Sequence, residues 1–179
     1  MIALSGESAD SGFDHLHFDI AVGAFYETNN THPLVYMKYN DTKTPNITNP
    51  NPMYFNRTTR KLNVTVTVNK NELDLVGLTV NGYVNNWAVN VSANIDWPTL
   101  NHITLVKDNL DIRSQTLSNG VVVTFYPEKY NINTAEYVTH FEVDFSALIA
   151  PSVQISNYQL SVVAYDARDG YGRVVVTGE

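Results

Sequence analysis

The sequence predicts an all-β fold, an antiparallel β-sandwich, on three observations. The dominant hydrophobic period is two: KLNVTVTVN (61–69) puts Leu62, Val64, Val66 and Val68 on one face and Asn and Thr on the other. GVVVTFYP, HFEVDF and YQLSVVAYDA share the same β-branched and aromatic richness. Turn chemistry punctuates these runs, with Asn-Gly at 81–82 and 119–120 and Asp-Gly at 169–170. Short strands at spacings of about 8–12 residues with turns between them build sandwiches or barrels. No long amphipathic helix competes with this reading, and FSALIAP (145–151) fits a single turn.

Taken in order, the chain divides at one break in composition. Residues 40–60, NDTKTPNITNPNPMYFNRTTR, hold three of the seven prolines, several Asn and no periodicity, which reads as a linker or long surface loop. Three parts are therefore expected: a short N-terminal piece (1–39), a linker (40–53) and a body of strands (54–179). The body has the size of one slightly enlarged immunoglobulin-like or fibronectin-type sandwich. Its last hairpin, YQLSVVAYDARDGYGRVVVTG, runs from a Tyr-rich strand through a polar turn into a final strand. Six Asn-x-Ser/Thr triplets, at Asn29, Asn40, Asn46, Asn56, Asn63 and Asn90, are read as chance in so Asn- and Thr-rich a chain ahead of the alternative, glycosylation of a secreted protein.

The 179 residues are enough to bury a core without staples, and the absence of cysteine excludes disulfides and thiolate metal sites. A net charge of −7 argues against nucleic acid or an anionic membrane surface as partner, because phosphate contacts need clustered Lys and Arg. Only 16% of residues are charged, so Asn, Thr and Ser carry the solvation. No apolar run approaches the roughly 20 residues of a membrane-spanning helix. The opening MIALSGESAD lacks the basic and apolar regions of a signal peptide, so an export signal is expected on chain outside this stretch.

The candidate chemistry lies in SGFDHLHFDI (11–20). In a strand, residues i and i+2 share a face about 6–7 Å apart, so His15 and His17 stand together, with Asp19 continuing the face. Leu16, Phe18 and Ile20 turn the other way, toward a core. One metal ion is within reach of both imidazoles, or one imidazole binds while the other stands beside metal-bound water. Zinc accepts neutral imidazole readily, and a catalytic zinc needs three protein ligands with the fourth position left to water. A second spacing, His140-Phe-Glu-Val-Asp144, has the form His-x-x-x-Asp. HFEVDF alternates as a strand, however, so His140 and Asp144 are expected about 13 Å apart on the outer face, too far for one zinc. His32 and His102 are isolated and expected to be solvated.

The stretch ALSGESADSGFDHLHFDI resembles the last motif of the lysostaphin-type zinc endopeptidases, which cut peptide cross-links in peptidoglycan. Ser5-Gly6, then Ser11-Gly12, then His15-Leu16-His17-Phe18-Asp19 carry the likeness. THPLVYM (31–37) is similar to the proline-led segment that closes the domain. The resemblance implies that residues 1–39 are terminal strands of a peptidase sheet, with His17 a zinc ligand. It also implies that His15 acts beside the metal-bound water as general base or oxyanion support. The family's other His and Asp ligands lie upstream of this motif. Here no histidine precedes His15, and Glu7, Asp10 and Asp14 are the upstream carboxylates.

The expectation is thus the C-terminal part of an extracellular or cell-surface wall peptidase, inactive as the isolated chain. An accessory β-sandwich would hold peptidoglycan, another wall polymer or a protein partner. NGYVNNWAVN (81–90) and DARDGYG (166–172) supply Tyr83, Trp87 and Tyr171, either as a stacking surface for sugars or as packing in the core or on the sandwich rim. The rival expectation is a non-catalytic binding or structural module in which residues 1–39 are simply extra strands. A small all-β metalloenzyme of the cupin kind, with His-x-His ligands, would need a further His and a Glu at spacings absent here.

Overall fold

Period-two burial builds the fold strand by strand. The computed structural model describes residues 4–7, 14–17, 20–21, 30–48, 55–69, 74–97, 99–100, 113–127 and 136–178. Its strands are β1 (Leu4–Glu7), β2 (Asp14–His17), β3 (Ile20–Ala21), β4 (Asn30–Thr31), β5 (Asn46–Thr48), β6 (Phe55–Asn56) and β7 (Lys61–Asn69). These are followed by β8 (Leu75–Val84), β9 (Val89–Asp96), β10 (Arg113–Thr116), β11 (Val122–Pro127), β12 (Glu136–Asp144), β13 (Tyr158–Asp166) and β14 (Tyr171–Gly178). One sheet has the order β10-β11-β12-β7-β5, with β6 also on β7; the second has the order β14-β13-β8-β9. The chain is an all-β sandwich of two antiparallel sheets. Outside it, β1 pairs with β2 and β3 with β4, each as a two-stranded ribbon.

Alternation decides which side chains enter the core. Leu62, Val64, Val66 and Val68 of β7 are buried, as are Phe141 and Val143 of β12 and Phe145 just beyond it. From the other sheet come Leu78 and Val80 of β8, Ala93 and Ile95 of β9, and Leu160 and Val162 of β13. Phe55 meets Tyr158 of the other sheet edge-on at 5.0 Å, and within the first sheet Phe125 of β11 lies 5.6 Å from its cross-strand partner Phe141. The connections β7–β8 and β12–β13 both cross between sheets, with β7 beside β12 and β8 beside β13. These two pairs interlock the layers. FSALIAP forms the single turn expected, with the amides of Leu148 and Ile149 both donating to the Phe145 carbonyl.

Two local expectations are corrected. Asn81-Gly82 is not a turn but the middle of β8, paired on one side with β13 and on the other with β9. Glycine stands there because a Cβ at 82 would collide with the Gln159 carbonyl and the Leu160 backbone. The turn comes later, at 85–88, with the Ala88 amide donating to the Asn85 carbonyl at 3.1 Å. The Pro- and Asn-rich stretch read as linker contains β5, which pairs Asn46 with Thr67 and Thr48 with Thr65 of β7. Pro45 is buried, and its carbonyl passes so close to Gly172 of β14 that a side chain there would collide with it. This segment closes one open side of the sandwich.

The two faces of β12 make a clean comparison of stability. Phe141 is fully buried, whereas its neighbour His140 lies on the outer face. Phe141→Ala is expected to cost about 3–5 kcal/mol, and His140→Ala less, about 0.5–1.5 kcal/mol for each of its two part-buried hydrogen bonds. Urea unfolding of both variants beside the parent checks the ranking; equal costs would mean the assigned faces are wrong.

Candidate functional site

The strand expected around the two histidines is present. In the β1–β2 ribbon Gly6 stands opposite His15 and Leu4 opposite His17. The side chains of His15, His17, Asp14 and Glu7 lie outside what the structure describes, as do residues Asp10, Asp19 and His102 altogether. The His140–Asp144 pair is engaged in cross-strand contacts. His140 Nδ1 meets Thr65 Oγ1 at 3.1 Å and its Nε2 meets Asn63 Oδ1 at 3.3 Å, with Tyr126 edge-on to the ring. Asp144 accepts from the Ser146 amide and faces Lys61, which donates mainly to Glu142 at 2.7 Å. His32 is not solvated: it is 6% exposed, packs edge-on against Trp97 at 4.3 Å, and accepts from the Leu34 amide through Nδ1. Trp97 is far along the chain, so local sequence gave no hint of the contact.

Polar chemistry concentrates instead at the two ends of the β8–β13 pair, about 30 Å apart along the strands. At one end Asp166 closes β13, Asp74 immediately precedes β8, and Asp41 arrives on the segment leading into β5. One carboxylate oxygen from each of the three lies within 4.8 Å of the others. Asp74 is 1% exposed and Asp166 4%. Asp166 sits inside because the buried parity of β13 runs Tyr158, Leu160, Val162, Ala164 and then Asp166. The register with β8 shifts between Tyr165 and Asp166, the local irregularity typical of a bulge beside a site.

Among the described residues few donors compensate Asp74 and Asp166. Tyr39 donates its hydroxyl to Asp74 Oδ2 at 2.6 Å. Asp166 Oδ1 accepts the amides of Arg168 and Gly170, each at 2.8 Å, while Oδ2 is buried with no hydrogen-bond partner among the described residues. A Cβ at Gly170 would collide with that Oδ2 and lie 3.0 Å from Thr44 Cγ2. The orphan oxygen therefore occupies the seam between the β13–β14 turn and the entering segment. Arg168 does not neutralise it: its guanidinium donates to the Met37 carbonyl and lies over the Tyr39 ring at 5.0 Å. No Lys, Arg or His among the described residues forms an ion pair with Asp74 or Asp166. Two full charges 4.8 Å apart repel by about 3.5 kcal/mol at an effective dielectric near 20. Burial, followed by the charges of Asp166 and Asp41, holds the Asp74 carboxyl above the ordinary carboxylate range despite the Tyr39 hydrogen bond. Burial and the same carboxylates push the Tyr39 phenol upward as well.

The other end carries the β8–β9 turn. Asn85, Asn86 and Trp87 have φ of 53°, 50° and 72°. Positive φ suits both central positions of such a hairpin turn, and asparagine tolerates it; the second position usually takes glycine. Here it is tryptophan, 66% exposed and stacked on Tyr83 with ring centroids 4.3 Å apart. The turn is pinned from across the sheet. Asn85 Nδ2 donates to the Gln154 carbonyl, Asn85 Oδ1 accepts from the Ser156 amide, and the Asn86 amide donates to Asn157 Oδ1. A shallow groove of about 640 Å³ opens beside it, lined by Tyr83, Asn86, Asn157, Gln159 and Thr177 among others. Tyr83 and Trp87 are thus on the rim, one half-buried and one exposed.

No protein-family model, curated protein or solved structure matches the chain. Sequence reasoning missed the acidic cluster. Its one legible signal was the carboxylate that continues the inward parity of YQLSVVAYD; Asp41 and Asp74 reach the site only through tertiary pairing.

The acidic end has a defined pH signature. A carboxyl whose folded pKa is raised binds its proton more tightly in the folded state. Its contribution to stability is full below the unfolded pKa and is lost as pH rises through the folded one. In chelator, the parent is therefore expected to lose stability relative to Asp74→Asn between about pH 4 and pH 7. Urea midpoints of the two proteins at both pH values test this; a parent midpoint that holds level with, or rises against, the Asp74→Asn midpoint toward neutrality would contradict the assignment.

Proposed function

We propose that this chain is the C-terminal part of a zinc-endopeptidase-type protein of the cell wall or cell surface. Its β-sandwich would act there as a non-catalytic module that holds a wall polysaccharide. The observation that supports this reading best is Trp87. A bulky side chain in left-handed backbone costs roughly 1–2 kcal/mol, and such strain is retained where the surroundings enforce it for a purpose. What the strain achieves is an exposed indole on a rigid turn, backed by Tyr83 and flanked by side-chain amides. That is the chemistry a sugar ring needs, with a flat aromatic surface for its C–H face and donor–acceptor pairs for its hydroxyls. The low density of charge in the chain agrees with a neutral polymer better than with a charged one.

The peptidase portion of the proposal rests on the Ser-Gly and His-Leu-His-Phe resemblance and on the β1–β2 ribbon that carries it. In that reading His17 is the zinc ligand and His15 stands beside the metal-bound water, with the remaining ligands supplied from chain upstream. If residues 1–39 are merely additional strands, the sandwich keeps the same binding role.

The test separates binding from folding. Trp87→Gly removes both the strain and the indole, so its melting temperature is expected within a few degrees of the parent. Its retention on insoluble peptidoglycan or purified wall glycan is expected to fall at least tenfold. The same preparations with added zinc are expected to leave the wall undigested, because the ligand set is incomplete. Unchanged retention of Trp87→Gly would sink the binding surface, and turnover abolished by His17→Ala would overturn the inactive reading.

A further inference from the structure

We infer that Asp41, Asp74 and Asp166 form a calcium site that fastens the entering segment to the end of the sandwich. The inference is independent of the polysaccharide reading, since it concerns the opposite end of the molecule.

Two observations carry it together. The first is the cluster itself, with one oxygen from each carboxylate within 4.8 Å of the others. The second is the buried Asp166 Oδ2 that no donor among the described residues satisfies, on a residue 4% exposed, in the seam where the entering segment crosses the β13–β14 turn. Buried polar atoms are nearly always paired, so an orphan anion among anions points to a missing cation.

Donor chemistry and dimensions select the ion. All three side chains are hard oxygen donors, with neither sulfur nor imidazole in the group, which suits calcium or magnesium rather than zinc. Three oxygens 4.8 Å or less from one another stand within about 2.8 Å of a common centre, so the cluster closes onto a calcium ion at 2.3–2.6 Å with shifts of a few tenths of an ångström. Magnesium, at about 2.1 Å, would need the carboxylates to draw closer and tolerates less irregular geometry. Tyr39, donating to Asp74, is placed to orient that carboxylate from outside the sphere.

The position gives the site its consequence. Asp166 ends β13 and Asp74 immediately precedes β8 of the central strand pair, while Asp41 comes from the segment that delivers residues 1–39 to the sandwich. The same segment is held by Tyr39 on Asp74, by Arg168 on Met37, and by Pro45 over Gly172. A bound ion converts mutual repulsion at this junction into a staple, so calcium would set how rigidly the N-terminal strands are carried. With three carboxylates, the affinity belongs to the class of extracellular modules, about 10⁻⁴–10⁻³ M.

The test uses the full 179-residue chain with calcium chloride as the only added ligand. At 10 mM calcium against chelator, mass action at that affinity raises the folding constant about 10- to 100-fold, read as a higher melting temperature. Titration calorimetry is expected to give one site. Asp74→Asn and Asp166→Asn keep the size of each side chain and should fold, yet neither should respond to calcium. Magnesium should act more weakly than calcium. A zinc response that survives both Asn variants but disappears in His17→Ala belongs to the histidine pair and leaves the calcium assignment standing. Equal melting in calcium and chelator for the parent, or an undiminished calcium response in both Asn variants, overturns it.

Discussion

Everything in this molecule hangs on the close pairing of β8 with β13. The two strands run side by side from Val84 opposite Tyr158 to Leu75 opposite Asp166. Gly82 makes the approach tight, since a side chain there would drive into the β13 backbone. The inward residues of this pair, Leu78, Val80, Leu160 and Val162, meet the opposing sheet and join the core. Its two ends, rather than its middle, carry the polar chemistry. A sandwich interior tolerates no unpaired charge, so a carboxylate that continues the inward parity must sit where the layer ends and a counter-ion or loop can reach it.

The segment before β7 shares in this arrangement. Edge strands present unpaired backbone groups and are usually covered or blunted. Here β5 takes the free edge of β7 and also packs against β14. Gly170 and Gly172 leave room for it, the first beside Asp166 and the second beneath Pro45. The stretch that composition marks as a break between parts of the chain therefore covers an edge and brings Asp41 to Asp74 and Asp166.

What the sequence disclosed follows the range of the forces involved. Alternation is local, so the faces of β7 and β12 and the outward position of His140 and Asp144 were legible from KLNVTVTVN and HFEVDF. Close backbone approach is not local: Gly82 resembled half of a turn, and only the position of β13 explains it. β5 is three residues of Asn, Ile and Thr among prolines, too short for a period to show. His32 was misjudged because its partner Trp97 is remote in sequence. Of the candidate sites, Tyr83 and Trp87 were visible as aromatic enrichment, whereas the left-handed turn that exposes Trp87 depends on hydrogen bonds from residues 154–157. Of the acidic cluster only the inward parity of Asp166 was legible, because its members come from three separate segments.

The central claim is that one strand pair carries two chemically distinct ends, a cation-binding junction and an aromatic contact surface. A backbone-amide and indole NMR spectrum of the isotope-labelled chain, titrated first with calcium and then with soluble wall glycan, tests it most directly. The account predicts that calcium moves the amides of Asp41, Asp74 and Gly170, and that glycan separately moves the Trp87 indole and the amides of Asn86 and Asn157. Calcium that leaves all three junction amides in place, or a single set of signals answering to both ligands, would contradict it.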